Sequence, residues 1–117
     1  MKTIIIYVAA DETEFDNKEE CQKYEDNLYN LFNKLLSIIR FYDKNGNRLL
    51  IRMGRKAWEE DMGYTLLEQA YNESESLEIL EDFNKELYNF ERYHYGFFFP
   101  LCKGKYIWDN KKNTWIK

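Results

Sequence analysis

Cys21, Tyr24, Leu28, Leu31, Phe32, Leu35 and Leu36 recur at intervals of three and four, the spacing that sets apolar side chains along one face of an α-helix. The spacing predicts a helix over 17–37. Asp16 stands where an N-cap oxygen is needed, and Glu19 follows at the distance that lets its carboxylate reach back to the cap backbone. A helix apolar on one stripe and polar elsewhere must bury that stripe against another element.

The segments around it read as strands. TIIIYVA (3–9) is β-branched and aromatic; a polar ADET turn and Thr13–Phe15 follow, predicting a strand or small hairpin at the start. IIRFYDKNGNRLLIR holds two β-rich runs around Asn45 and Gly46, the pair best suited to a two-residue type I′ turn. That turn would set Asp43 opposite Arg48 and Tyr42 opposite Leu49. At the C-terminus, KYIWD and TWIK predict a hairpin with a loop from Asn110 to Asn113, Trp108 facing Trp115 and Ile107 facing Ile116.

Between the hairpins, RKAWEEDM predicts a short helix with Trp58 and Met62 four apart, while GYTLLEQAY fits strand or helix. After the polar break Asn72–Ser76, the residues Leu77, Leu80, Phe83, Leu87 and Phe90 mark a second amphipathic helix ending near Tyr93, with Gly96 as its stop. The expected class is α+β, a small largely antiparallel sheet with two main amphipathic helices and a C-terminal hairpin.

A length of 117 residues suits one domain, 1–117, and 44% hydrophobic with 18% aromatic residues supplies a core. No apolar run approaches the roughly 18 residues that span a bilayer, and MKTIIIYVAA lacks the pattern of a signal peptide. A soluble cytoplasmic protein with no membrane partner is the expectation. Cys21 and Cys102 fit two buried thiols better than a disulfide.

Catalytic patterns are missing. His94, the only histidine, lies among Tyr93, Tyr95 and Phe97, which suits a structural or surface role. Adjacent carboxylates such as Glu19 and Glu20 point about 100° apart on a helix and do not converge on one atom. Asp43, Asn45 and Asn47 match the first ligands of a calcium loop, but Arg48 and Gly54 stand where its glycine and closing glutamate belong. With no phosphate loop, nucleophile elbow or zinc spacing, the expectation is a non-enzymatic protein without metal or cofactor.

Charge alternates along the chain: residues 1–26 hold eight acids and three bases, 27–56 one and seven, 57–92 eleven and two, 93–117 one and five. Two surfaces follow. Glu19 and Glu20, on a helix face with Lys23, Asp26 and Asn30, and Glu59, Glu60 and Asp61 form an acidic candidate for docking on a basic protein groove. Arg52, Arg55 and Lys56, together with Tyr106, Trp108 and Trp115, form the alternative: a small-ligand or nucleic-acid site in which bases hold phosphate and rings stack. A plain interaction subunit is the third possibility, and the oligomeric state is not legible.

YVAADETEFDNKEECQKYE resembles the start of small accessory proteins from phages and mobile elements of Gram-positive bacteria. In these a strand, an acidic D-x-T-E-F turn and an E-E-C-x-x-Y-E helix start recur. The Asp43–Arg48 hairpin and YIWDNKKNTW resemble their later parts, and the chain departs at Glu12, where a turn glycine is more familiar. The resemblance implies a genomic setting that includes inhibitors of host defence, notably anti-CRISPR proteins that bind an effector or its guide complex. It carries no catalytic residues.

Overall fold

A computed structural model describes residues 5–117. The apolar stripe forms helix α1 (Lys18–Ile38), which buries Cys21, Leu28, Phe32, Leu35 and Ile38 on one face. Its cap is Asn17, not Asp16: the Asn17 Oδ1 accepts the N–H groups of Glu19 at 2.8 Å and Glu20 at 3.1 Å. Extended backbone at Asn17 aims that oxygen at the first helical turn, so the cap contribution of about 1 kcal/mol belongs one residue later than expected.

α1 runs directly into strand β3 (Ile39–Tyr42), and with β4 (Arg48–Leu49), β5 (Ser76–Ile79), β6 (Gly104–Asp109) and β7 (Thr114–Ile116) it builds a five-stranded sheet. The order is β4-β3-β5-β6-β7, with every neighbouring pair antiparallel. A separate two-stranded hairpin, β1 (Tyr7–Val8) and β2 (Glu14–Phe15), precedes α1. The first residues of the expected 3–9 strand lie outside the described residues. Helices α2 (Arg55–Asp61), α3 (Tyr64–Glu73) and α4 (Lys85–His94) complete an α+β fold.

Alternation along the strands makes two unlike sheet faces. Ile39, Phe41, Leu77, Ile79 and Tyr106 point into one core with Leu28, Phe32, Leu35, Trp58, Leu67, Leu87 and Phe90. Arg40, Tyr42, Ser76, Glu78, Lys105 and Ile107 occupy the opposite, more open face.

Two expectations are corrected here and one open choice is settled. Leu77 belongs to the central strand β5, paired with Phe41 on one side and Tyr106 on the other; the second amphipathic helix is only α4, capped by Asn84. Leu77 and Ile79 satisfy a period of two as well as Leu77 and Leu80 satisfy three, and the two flanking strands decide between them. Residues 64–71, left open as strand or helix, lie in α3. Cys102 is exposed while Cys21 is buried.

The β3–β4 hairpin is shifted by one residue from the expected register. Tyr42 pairs with Arg48 and Phe41 with Leu49, because the turn uses three residues: the Gly46 N–H reaches the Asp43 carbonyl, and the Asp43 N–H reaches the Asn47 carbonyl. Only Gly46 takes a positive φ, 80°, a type I turn closed by a left-handed residue. The β1–β2 turn repeats this pattern: Glu12 N–H bonds Ala9 O, Ala9 N–H bonds Thr13 O, and Glu12 sits at φ 72°. Glu12, the departure from the resembled motif, therefore stands where a glycine would be unstrained. The C-terminal hairpin has the expected register, Trp108 with Trp115 and Ile107 with Ile116.

Candidate functional site

The two acidic segments meet through Arg55. From the first turn of α2 its guanidinium reaches Asp26 at 2.8 Å and Glu25 at 3.7 Å on α1, and Glu59 at 3.1 Å on its own helix. It also lies over the rings of Tyr29 and Trp58. Burial works against the charged form, but the hydrogen bonds to Asp26 and Glu59 outweigh it and raise the Arg55 pKa. Asp26, Glu59 and Glu60 are exposed, and Glu19 lies two turns before Asp26 on the same face of α1, beside the exposed Glu20. Through Arg55, Glu25 and Asp26 of α1 and Glu59 of α2, distant in sequence, thus come together in one cluster of three acids around one base.

Asp61 has a structural task. Its carboxylate accepts the N–H of Gly63 at 3.0 Å and of Thr65 at 3.1 Å, starting α3. Hydrogen bonding to Thr65, side chain first, and to the backbone of Gly63 and Tyr64 holds it below the ordinary carboxylate range. The turn it closes is tight: Met62 and Gly63 are both left-handed, and a Cβ on Gly63 would meet the Phe32 ring at 2.6 Å.

The basic and aromatic candidates are dispersed. Arg55 is committed to the carboxylates above, while Arg52 and Lys56 stay exposed. Tyr106 is buried, its hydroxyl donating to the Cys102 carbonyl at 2.7 Å. Trp108 and Trp115 are half-buried and pack edge to face at 5.1 Å. Trp108 borders a polar cleft of about 490 Å³ and, with Trp115, Tyr71, Asn72 and Ser74, a smaller one of about 180 Å³.

Two polar clusters were not anticipated. Asp11 accepts a hydrogen bond from the Tyr24 hydroxyl, and His94 Nε2 lies 3.4 Å from the same carboxylate oxygen while Nδ1 lies 3.0 Å from the Phe90 carbonyl. Burial pushes the Asp11 pKa up, and bonds from Tyr24, Thr13 and His94 bring it below the ordinary value. His94 thus holds the first hairpin against α4, the structural role its context suggested. The second cluster is Glu91, 1% exposed, whose Oε1 accepts the Phe97 N–H at 2.8 Å and whose Oε2 lies 3.2 Å from Arg92 Nη1. Arg92 in turn lies over the rings of Tyr88 and Phe98. An adjacent Glu-Arg pair looks solvated in sequence, and only the fold reveals its burial.

Among the described residues, no group of three or more His, Cys, Asp or Glu side chains is arranged to hold a metal ion. No described helix is long and apolar enough to cross a membrane. Comparison with protein-family models, with curated proteins and with solved structures finds no match.

Proposed function

We propose that this is a non-catalytic binding protein of a phage or mobile element that inhibits a host defence effector by covering one of its functional surfaces. It acts in the host cytoplasm, and its partner is a defence protein such as a CRISPR effector or its guide complex. The motif resemblance of the opening segment supports the setting. The observation that carries the binding mode is the Arg55 junction, which joins the acids of α1 and α2 into one surface. Such a surface complements the basic groove through which an effector holds nucleic acid.

Pull-down from a host lysate with mass spectrometry, alongside a CRISPR interference assay, tests the proposal. Recovery of a defence protein together with protection of phage is the expected outcome; recovery of none, without protection, would sink it. Changing Glu19, Glu20 and Glu60 to Lys should weaken the recovered complex at least about tenfold, most at low salt. Asp61 is kept in that variant because it caps α3. If affinity and salt dependence do not change, a different surface makes the contact.

A further inference from the structure

We propose that the cleft beside Trp108 binds a neutral saccharide. It lies at one end of the sheet, where the β3–β4 turn, the α3–β5 link and the β6–β7 hairpin converge, and measures about 490 Å³. Trp108, Asn72, Glu75, Asn110, Asp43 and Lys44 are among its lining residues. A saccharide ring offers a face of C–H bonds and a rim of hydroxyls that both donate and accept. An indole meets the first, and amides and carboxylates meet the second.

The lining is held in place before any ligand arrives. Trp108 Nε1 donates to Asn110 Oδ1 at 2.8 Å, leaving the Asn110 amide N–H groups to donate outward. The indole packs edge to face on Trp115, and Trp115 Nε1 is fixed by the Tyr71 hydroxyl at 3.2 Å. Glu75 is clamped by its backbone, its N–H on the Tyr42 carbonyl and its carbonyl on the Trp108 N–H, both at 2.9 Å. Asp43 is set by the N–H groups of Asn45 and Asn47. Preorganisation of this kind lowers the ordering cost of binding.

Charge chooses between the ligands an aromatic cleft accepts. A single-strand nucleic-acid groove tracks its phosphates with positive charge, whereas here Asp43 and Glu75 outnumber Lys44. The lining thus disfavours an anionic ligand, and the hydroxyl-matching amides and carboxylates beside the indole favour a saccharide. The acidic surface around Arg55 contributes nothing to this cleft, so either proposal can fail alone.

The test is nitrogen-15 NMR titration of the intact protein with three neutral tetrasaccharides, tetra-N-acetylchitotetraose, cellotetraose and maltotetraose, and with an oligothymidylate. At least one saccharide should shift the Trp108 indole and Asn110 amide signals, saturably and independently of salt, with the signal of buried Trp58 unmoved. Trp108→Ala should weaken that binding about tenfold or more. Because it also removes a packing ring, Asn72→Ala and Glu75→Ala, both at exposed positions, serve beside it, each weakening binding about threefold. The proposal is overturned if none of the three saccharides moves these signals. Salt-dependent binding of the oligothymidylate at the same residues would overturn it too, and would make the cleft a nucleic-acid site.

Discussion

Arg55, at the junction of α1 and α2, and Arg92, in the last turn of α4, each lie over two aromatic rings and face carboxylates. Arg55 has three acids, of which Asp26 and Glu59 are 62% and 44% exposed. Arg92 has one, Glu91, 1% exposed, at ion-pair distance without hydrogen-bond alignment. The first arrangement is redundant and solvated, so losing one partner leaves no charge stranded. The second sets one buried carboxylate, Glu91, against a single cation, Arg92, itself 23% exposed, so Glu91 has no other charge to compensate it. Open charge is available to a partner, whereas the buried pair braces the loop that follows α4 through Glu91 Oε1 and the Phe97 N–H.

The difference is sharpest when each arginine is removed. Arg92→Ala leaves the Glu91 carboxylate buried without its cation, and stability measured by urea unfolding should fall by about 3 kcal/mol. A loss under about 1 kcal/mol would place the pair among ordinary surface ion pairs and erase the contrast. Acidity gives an independent check. Burial raises the Glu91 pKa, against the pull of Arg92 and of the Phe97 and Phe98 N–H groups. The folded state therefore holds the proton to higher pH than the unfolded state, and the stability linked to it, full at low pH, is lost as pH rises through the folded value. Glu91→Gln keeps an oxygen for Phe97 and no longer titrates. Its stability relative to the native protein should rise from the carboxyl range toward neutrality; parallel curves would show that burial exerts no such effect. Asp11 and Asp61, with lowered pKa values, act oppositely, their contribution being lost as pH falls through their folded values.

Arg55→Ala removes two ring contacts and three ion pairs, yet the two acids nearest it, Asp26 and Glu59, are exposed and can turn to water. The expected loss is about 1.5 kcal/mol, mostly from packing on Tyr29 and Trp58. The ion-pair share should shrink in high salt while the packing share persists. A loss matching that of Arg92→Ala, unchanged by salt, would mean that the junction behaves as a buried charge site despite its exposed acids.

This contrast also marks how far the sequence could be read. The stripe of α1 and the cross-strand pairs of Trp108 with Trp115 and Ile107 with Ile116 follow from local period and loop length, and these the structure repeats. Errors arose where two local solutions differ by one residue, as with Asn17 against Asp16 and the three-residue against the two-residue turn at Gly46. The central strand β5 was hidden because four residues cannot declare a period, and its identity comes from β3 and β6. For the site, the residue types were legible and their company was not. Arg55, whose sequence context suits a phosphate contact, is engaged by Glu59, whose context suits the rival acidic surface.

The smallest effect tests that company most directly. Glu59→Gln removes one of the three acids on Arg55, an exposed partner one helical turn away, and stability should change by no more than about 0.5 kcal/mol. The same substitution in the background of Asp26→Asn should cost more than it does alone, because Arg55 then keeps only Glu25, the most distant of its acids at 3.7 Å. A double-mutant cycle measures that coupling. Strict additivity would mean that Arg55 serves its acids one at a time, leaving the acidic surface without the shared centre on which its proposed docking role depends.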